Sequence, residues 1–199
     1  MAAPGHVLTY FSHRAAARCD TTELLFAIAK TPLKIQRLMW ADFERLRAAS
    51  RGVPGSPDPA STLGVSLPHA QLPVLTITGP KGAGAVCVGQ NKAIVRYAAK
   101  LAGLYPTEPT EAALCDSVLD RLDDLALTRW YQAQDDAARA AVIAEALSTL
   151  VGVTADLALL RRQRSPPGGD APWLLGSGMT LADVAVFAAV HELASLVNL

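Results

Sequence analysis

The groups best suited to chemistry fall in three short stretches of the chain. In Gln71-Leu72-Pro73 a proline opens a β-branched run. There it removes a ladder donor and can hold a cis bond, which turns the preceding backbone groups sideways towards a ligand. In Gly89-Gln90-Asn91 polar residues stand at a helix start. Unpaired N–H groups and the positive end of the helix dipole favour a bound carboxylate at such a place. Tyr10, near the end of a short apolar run, brings a phenol hydroxyl. Taken singly, a strand-opening proline, an asparagine cap and a strand tyrosine packed on a core are ordinary structural parts.

The elements that would position these groups are clearest over residues 71–101. Residues 74–78 and 85–88 are short β-branched runs, and the Gly79-Pro80-Lys81-Gly82-Ala83-Gly84 segment between them predicts a hairpin loop. After Gly89 the apolar period changes from two to nearly four. Ala93, Ile94, Tyr97, Ala98 and Leu101 then share one helical face, with Lys92, Arg96 and Lys100 opposite. Upstream, residues 6–11 predict a strand and residues 24–30 part of a helix that begins somewhere after Ser12. Residues 50–70 hold four prolines and three glycines with no sustained period, which predicts a long loop. Residues 103–109 mark a boundary, and everything beyond reads as helical. Residues 110–133 carry Asp116, Asp120, Asp123 and Asp124 as an acidic stripe, because spacings of four and eight return to one face. An alanine-rich helix over 137–164 stops at Ser165-Pro166-Pro167-Gly168-Gly169. Thr180, followed three residues later by Asp183, is a capping-box variant that opens a final apolar helix.

Composition narrows the class. A chain of 199 residues, 51% apolar, can build one large or two small domains around a sizeable core. Its 18 basic and 18 acidic residues balance, with no basic stripe of the kind that nucleic acid or an anionic membrane surface requires. Cys19, Cys87 and Cys115 are odd in number, far apart and without a C-x-x-C pair, which argues against a disulfide scaffold or a structural zinc site and fits a reducing compartment. The N-terminus lacks the pattern of a secretory signal. The apolar tracts at 137–160 and 181–199 are interrupted by Glu145, Asp156, Asp183 and Glu192, and are expected to be amphipathic or buried helices rather than membrane spans.

Gln71-Leu72-Pro73-Val74-Leu75 and Gln90-Asn91-Lys92-Ala93-Ile94-Val95-Arg96-Tyr97, with Leu8-Thr9-Tyr10-Phe11 upstream, resemble the cytosolic glutathione transferases, most nearly their sigma-like group. The resemblance spans nearly the whole chain. It implies an α/β domain followed by an all-α one: a thioredoxin-like glutathione-binding domain over residues 1–102 with an insertion near 50–70, a linker at 103–109, and a helical bundle over 110–199. It implies a cytoplasmic homodimer that takes glutathione as co-substrate and an electrophilic small molecule, with neither nucleic acid nor membrane as partner and no metal. A protein of the same fold that binds ligand without turnover, like the lens crystallins related to this group, is the alternative.

By the same resemblance Tyr10 is the catalytic residue. Glutathione's thiol is mostly protonated at neutral pH and only the thiolate is a good nucleophile. A phenol hydroxyl donating to sulfur stabilises the anion and lowers its pKa. The glutathione-binding set implied is Phe11, Arg18, Phe43, Arg47, Gln71, Leu72, Pro73, Gln90, Asn91 and, across a dimer axis, Asp124. This chain departs from the family pattern in several places. Asn91 stands where the family has serine or threonine. Phe43 replaces a tryptophan whose ring nitrogen would donate, and Trp40 is a candidate substitute. Arg47 replaces a lysine, and can grip a carboxylate bidentately. The family's arginine after the active tyrosine aligns with Ala16 without a gap, or with Arg18 and a carboxylate at Asp20 after a two-residue insertion. Cys19 is read as a core or bystander cysteine, although omega-type and beta-type relatives use a cysteine for thiol exchange. Because the sequence ends at Leu199, a short or missing cover and a more open second-substrate site are expected.

Overall fold

The structure, a computed structural model, describes residues 5–12, 17–55, 66–79, 84–165, 169, 171–176 and 178–198, with the side chains of residues 17 and 18 outside that set. The chain forms two compact units, Met1–Ala102 and Gly103–Leu199. The first has a thioredoxin-like arrangement and the second is helical.

In the first unit, β1 (Gly5–Phe11) runs through the middle of a four-stranded sheet of order β2-β1-β3-β4. It pairs in parallel with β2 (Lys34–Leu38) and antiparallel with β3 (Val74–Thr78), which in turn pairs antiparallel with β4 (Ala85–Gly89). A parallel neighbour needs a crossover, and α1 (Ala17–Ile28) supplies it between β1 and β2. Helix α2 (Trp40–Ser50) follows β2, and α3 (Asn91–Leu101) follows β4. Strand alternation sends His6, Leu8 and Tyr10 to one face of the sheet and Phe11 to the other. On the first face His6 meets Phe26 of α1 edge-on at 5.0 Å and Tyr97 of α3 at 5.8 Å between ring centroids. On the second, Phe11 meets Phe43 at 5.0 Å and stacks on Trp40 at 5.4 Å, both from α2. Leu8, Leu25, Leu75 and Ile94 are fully buried between these layers. Each contributes on the order of 1.5–3 kcal/mol by leaving water.

One strand here carries little local signal in the sequence, and one sequence expectation changes. Strand β2 carries no β-branched run beyond Ile35, and its Lys34, Gln36 and Arg37 read as polar, yet pairing with β1 makes it a strand at the sheet edge. The buried face of α3 is Ile94, Val95, Ala98 and Ala99, while Ala93 and Leu101 are exposed. The face is thus turned from the predicted one, with Val95 and Ala99 replacing Ala93 and Leu101.

In the second unit, α4 (Pro109–Asp123) starts with Glu108, whose carboxylate accepts from the Glu111 N–H at 2.8 Å, and with a proline in its first turn. Such a proline forfeits only an N–H that has no helical partner. The single helix expected over 110–133 ends at Asp123. Ala126 takes φ 50°, a short helix α5 (Thr128–Gln132) follows, and Leu125 and Leu127 are buried on either side of the break. Burial of these two leucines redirects the chain where no glycine or proline announces a turn. Helix α6 (Asp136–Arg164) is capped by Asp135, which accepts from Ala138 N–H at 2.7 Å. By length and composition α6 is the one described helix able to cross a membrane, and 17% of its apolar window is buried, so of the two expectations, amphipathic or buried, it is not the buried one. Its two interior acids are paired within the unit: Glu145 with Arg129 at 2.7 Å and Asp156 with Arg121 at 2.8 Å. The residues expected to stop α6 at 166–168 lie outside the described set.

Helix α7 (Leu181–Val197) opens as predicted from the Thr180 and Asp183 spacing. Asp183 Oδ2 accepts both the backbone N–H and the hydroxyl of Thr180, at 2.8 and 3.0 Å, while Oδ1 accepts the Leu174 N–H at 2.9 Å.

Candidate glutathione site

The predicted cradle assembles at the end of the sheet where β3 begins and β4 ends. Leu72–Pro73 is a cis peptide bond. Val74 pairs with Gly89 across the two strands, which brings the segments on either side together. The Gln90 side-chain amide donates to Gln71 Oε1 at 3.0 Å, so the two glutamines singled out nineteen residues apart in sequence touch. Gln90 sits at φ 71° and ψ 119°, outside the regions a side-chain-bearing residue ordinarily occupies. A non-glycine residue held there costs about 1–3 kcal/mol, and such residues cluster at ligand clamps. Asn91, the first residue of α3, has its Oδ1 shielded from solvent and without a hydrogen-bond partner among the described residues.

Gly89 is the buried hinge of this cradle. A Cβ there would stand 3.1 Å from His69 Cδ2 and 3.2 Å from both Cβ and the carbonyl oxygen of Pro68, in the turn Pro68–Ala70 that leads to Gln71. Gly89→Ala is therefore expected to push that turn aside, with a loss of about 1–3 kcal/mol in urea unfolding and weaker retention on immobilised glutathione. Unchanged values on both measurements refute a tight fit.

Tyr10 lies on the central strand beside this cradle. Thr9 pairs with Val74, so continuing the register one step sets Tyr10 next to Pro73. The Tyr10 ring is buried, with 6% of its surface exposed, and its centroid is 5.3 Å from that of Phe11. Phe11 belongs to the opposite face and anchors the start of α2. The end of β1 is further tied there by Ser12, whose N–H donates to Leu38 O at 2.8 Å and whose hydroxyl donates to Met39 Sδ at 3.0 Å.

The residues read as the glycyl end of the site form one cluster on α2. Phe43 is buried at 5% exposure, walled by Phe11, by Trp40 at 5.4 Å and by the Arg47 guanidinium 5.8 Å from its ring centroid. It is thus a packing residue. Trp40 is 58% exposed beside it, which leaves its indole edge open to a ligand. Arg47 pairs with Glu44 at 3.2 Å, and its Nε is buried without a partner among the described residues. The side chain of Arg18 lies outside the described residues, although α1 already spans its position. Asp124, just past the end of α4 in the second unit, is held by Arg121 at 2.7 Å, the i,i+3 pairing of neighbours on a helix surface.

Cys19 is fully buried in α1, and burial pushes its thiol up to about 12. A thiol so protonated is a poor nucleophile at neutral pH. In the native protein, Cys19 is expected to stay unmodified by iodoacetamide at pH 7.5 while unfolded chain is labelled, as read by peptide mass spectrometry. Rapid native labelling, or a thiol-exchange activity lost in Cys19→Ser, reverses this assignment. Among the described residues no group of three or more His, Cys, Asp and Glu is placed to hold a metal ion.

A thioredoxin-like unit followed by a helical unit is the fold of the glutathione transferases. No family model matches the chain. The chain is 28% identical over 181 residues to hematopoietic prostaglandin D synthase of Gallus gallus, an alignment that takes in 90% of this chain and 75% of that protein. Among solved structures it resembles rat hPGDS complexed with a quinoline, with a TM-score of 0.67 and 23% identity over 96% of this chain and 81% of that one. It also resembles the Fasciola hepatica sigma class glutathione transferase, with a TM-score of 0.67 and 17% identity over 98% and 81% of the two chains. The chain is thus similar in sequence and fold to sigma-like glutathione transferases.

Proposed function

We propose that this protein is a glutathione-dependent transferase in which the Tyr10 hydroxyl donates to the glutathione sulfur and holds it as the thiolate, which then attacks an electrophilic small molecule. The observation that carries the reading is the position of Tyr10 on β1, one register step from Val74 and beside the cis-Pro73 and Gln71–Gln90 cradle. In this reading Gln71, Leu72, Pro73, Gln90 and Asn91 hold the γ-glutamyl half. An asparagine amide offers both a donor and an acceptor, which suits a group that carries a carboxylate and an ammonium on one carbon. The unpartnered Asn91 Oδ1 supports that assignment. Arg47 takes the glycyl carboxylate, with the exposed Trp40 indole as a second donor in place of Phe43. Arg18 completes the set from α1, and Asp124 reaches the ammonium bound by the second subunit of a homodimer. The protein works in the cytoplasm in conjugation of electrophiles, with glutathione-dependent peroxidase or isomerase chemistry as a side activity.

Retention on glutathione-agarose followed by conjugation of chlorodinitrobenzene tests the reading. Retention with turnover is the expected result, and absence of both refutes it. Retention with no turnover favours a ligand-binding protein on the same scaffold, a reading supported by the burial of Tyr10 and the loss of the donor at Phe43.

A further inference from the structure

His6 is a titratable group that the proposed chemistry does not use. It is buried on β1, four residues before Tyr10, with 4% of its surface exposed. Its Nε2 is 2.9 Å from the Tyr97 hydroxyl of α3, its ring packs edge-on against Phe26 of α1, and its Nδ1 is buried with no partner among the described residues. We propose that the His6–Tyr97 contact is an acid-sensitive latch that holds α3, and with it the Gln90-Asn91 end of the cradle, against the central strand.

The physical reason lies in the count of donors. Neutral imidazole needs one partner for its N–H and can leave a bare lone pair at low cost. Imidazolium has two N–H groups and a charge. Here only Nε2 has a partner, so a protonated ring buries an unsatisfied donor and an uncompensated charge, both unfavourable. Among the described residues, none of the elements packed on His6 supplies a counter-charge. α1 presents Phe26, α3 presents Tyr97, and β3 pairs through Ile77. Asp20 and Glu23 of α1 and Lys92, Arg96 and Lys100 of α3 do not offset the burial, which holds His6 below its ordinary value. The folded state therefore binds this proton more weakly than the unfolded chain, whose histidines titrate near 6.5. The latch is fully closed above that pH and weakens as the pH falls through it towards the lower folded value. Tyr97 and Asn91 belong to one 11-residue helix, so loosening one end of α3 loosens the other.

The test compares the native protein with His6→Phe, which keeps an aromatic ring against Phe26, and with Tyr97→Phe, which removes only the hydroxyl. Melting temperature is read from pH 8 to pH 5, with hydrogen exchange of the α3 amides at pH 7.5 and 5.5, corrected for intrinsic exchange rates. The native protein and Tyr97→Phe are expected to lose about 3 °C more than His6→Phe between pH 7.5 and 5.5, a shift typical of one lost contact in a chain of this size. Tyr97→Phe starts from a lower plateau, and native α3 exchanges faster at pH 5.5. An acid slope in His6→Phe equal to that of the native protein overturns the latch. The consequence for the ligand rests on glutathione being what the cradle binds. Equilibrium glutathione binding is then expected to weaken about threefold from pH 7.5 to 5.5 in the native protein and to stay within experimental error in His6→Phe, a difference of about 0.65 kcal/mol. If the native protein binds no glutathione at any pH, the proposed function fails while melting and exchange still decide the latch.

Discussion

Replacing Tyr10 by phenylalanine is expected to lower kcat/KM for conjugation of glutathione by about a hundredfold, the usual cost of removing one donor from a developing or stabilised anion. The substitution takes away the hydroxyl and leaves the buried ring in place beside Phe11. Folding and glutathione affinity should therefore change little, because in the proposed reading the tripeptide is held mainly by the Gln71, Gln90 and Asn91 cradle. The pH profile of kcat/KM carries the diagnostic. Without the phenol the bound thiol returns towards the ordinary thiol range, so its thiolate is scarcer at neutral pH and the rate climbs to a more alkaline plateau. Turnover that is present and unchanged in Tyr10→Phe rules out the hydroxyl as the donor, even in a protein that proves to be a transferase.

The second large effect concerns folding. Asp183→Ala is expected to lose about 3 kcal/mol in urea unfolding of the helical unit. Its carboxylate serves the Thr180 N–H and hydroxyl through one oxygen and the Leu174 N–H through the other. Removing it orphans two backbone donors, each worth about 1–3 kcal/mol when left unsatisfied. Asp183→Asn keeps one acceptor and should recover roughly half. A loss below about 0.5 kcal/mol for the alanine variant shows that water or relaxation of the 172–176 turn replaces these bonds.

What could be read from the chain before any coordinates follows a physical divide. Strands β3 and β4, helix α3 and the cap of α7 are announced by local signals: a β-branched run, a change of period after Gly89, a threonine and aspartate three residues apart. Their positions agree with the structure. Strand β2 is specified by pairing with β1, a non-local cause that leaves no β-branched pattern in Lys34-Ile35-Gln36-Arg37-Leu38. The break after Asp123 is specified by burial of Leu125 and Leu127, which a period count across the segment cannot see. The face of α3 turned because Val95 and Ala99 lie where α1 and the sheet press, and periodicity fixes spacing more firmly than direction. At the site, the pairing of Gln71 with Gln90 follows from two local motifs joined by a hairpin. The burial of Phe43 depends on Phe11, a neighbour brought in by tertiary packing.

The placement of β1 has a consequence for how the protein is made. Its antiparallel neighbour β3 lies almost seventy residues downstream, and Gly5 pairs with Thr78. While the ribosome is still synthesising the stretch up to α2, the nascent chain can join only β1 to β2, and the other side of the eventual middle strand offers a row of unmatched amides and carbonyls to any passing polypeptide. Closing so wide a loop is entropically slow to repay but only logarithmically more costly than closing a shorter one. Release of Thr78 from the exit tunnel is thus the event that seals the sheet, and a nascent chain arrested before that point is the form most in need of a chaperone.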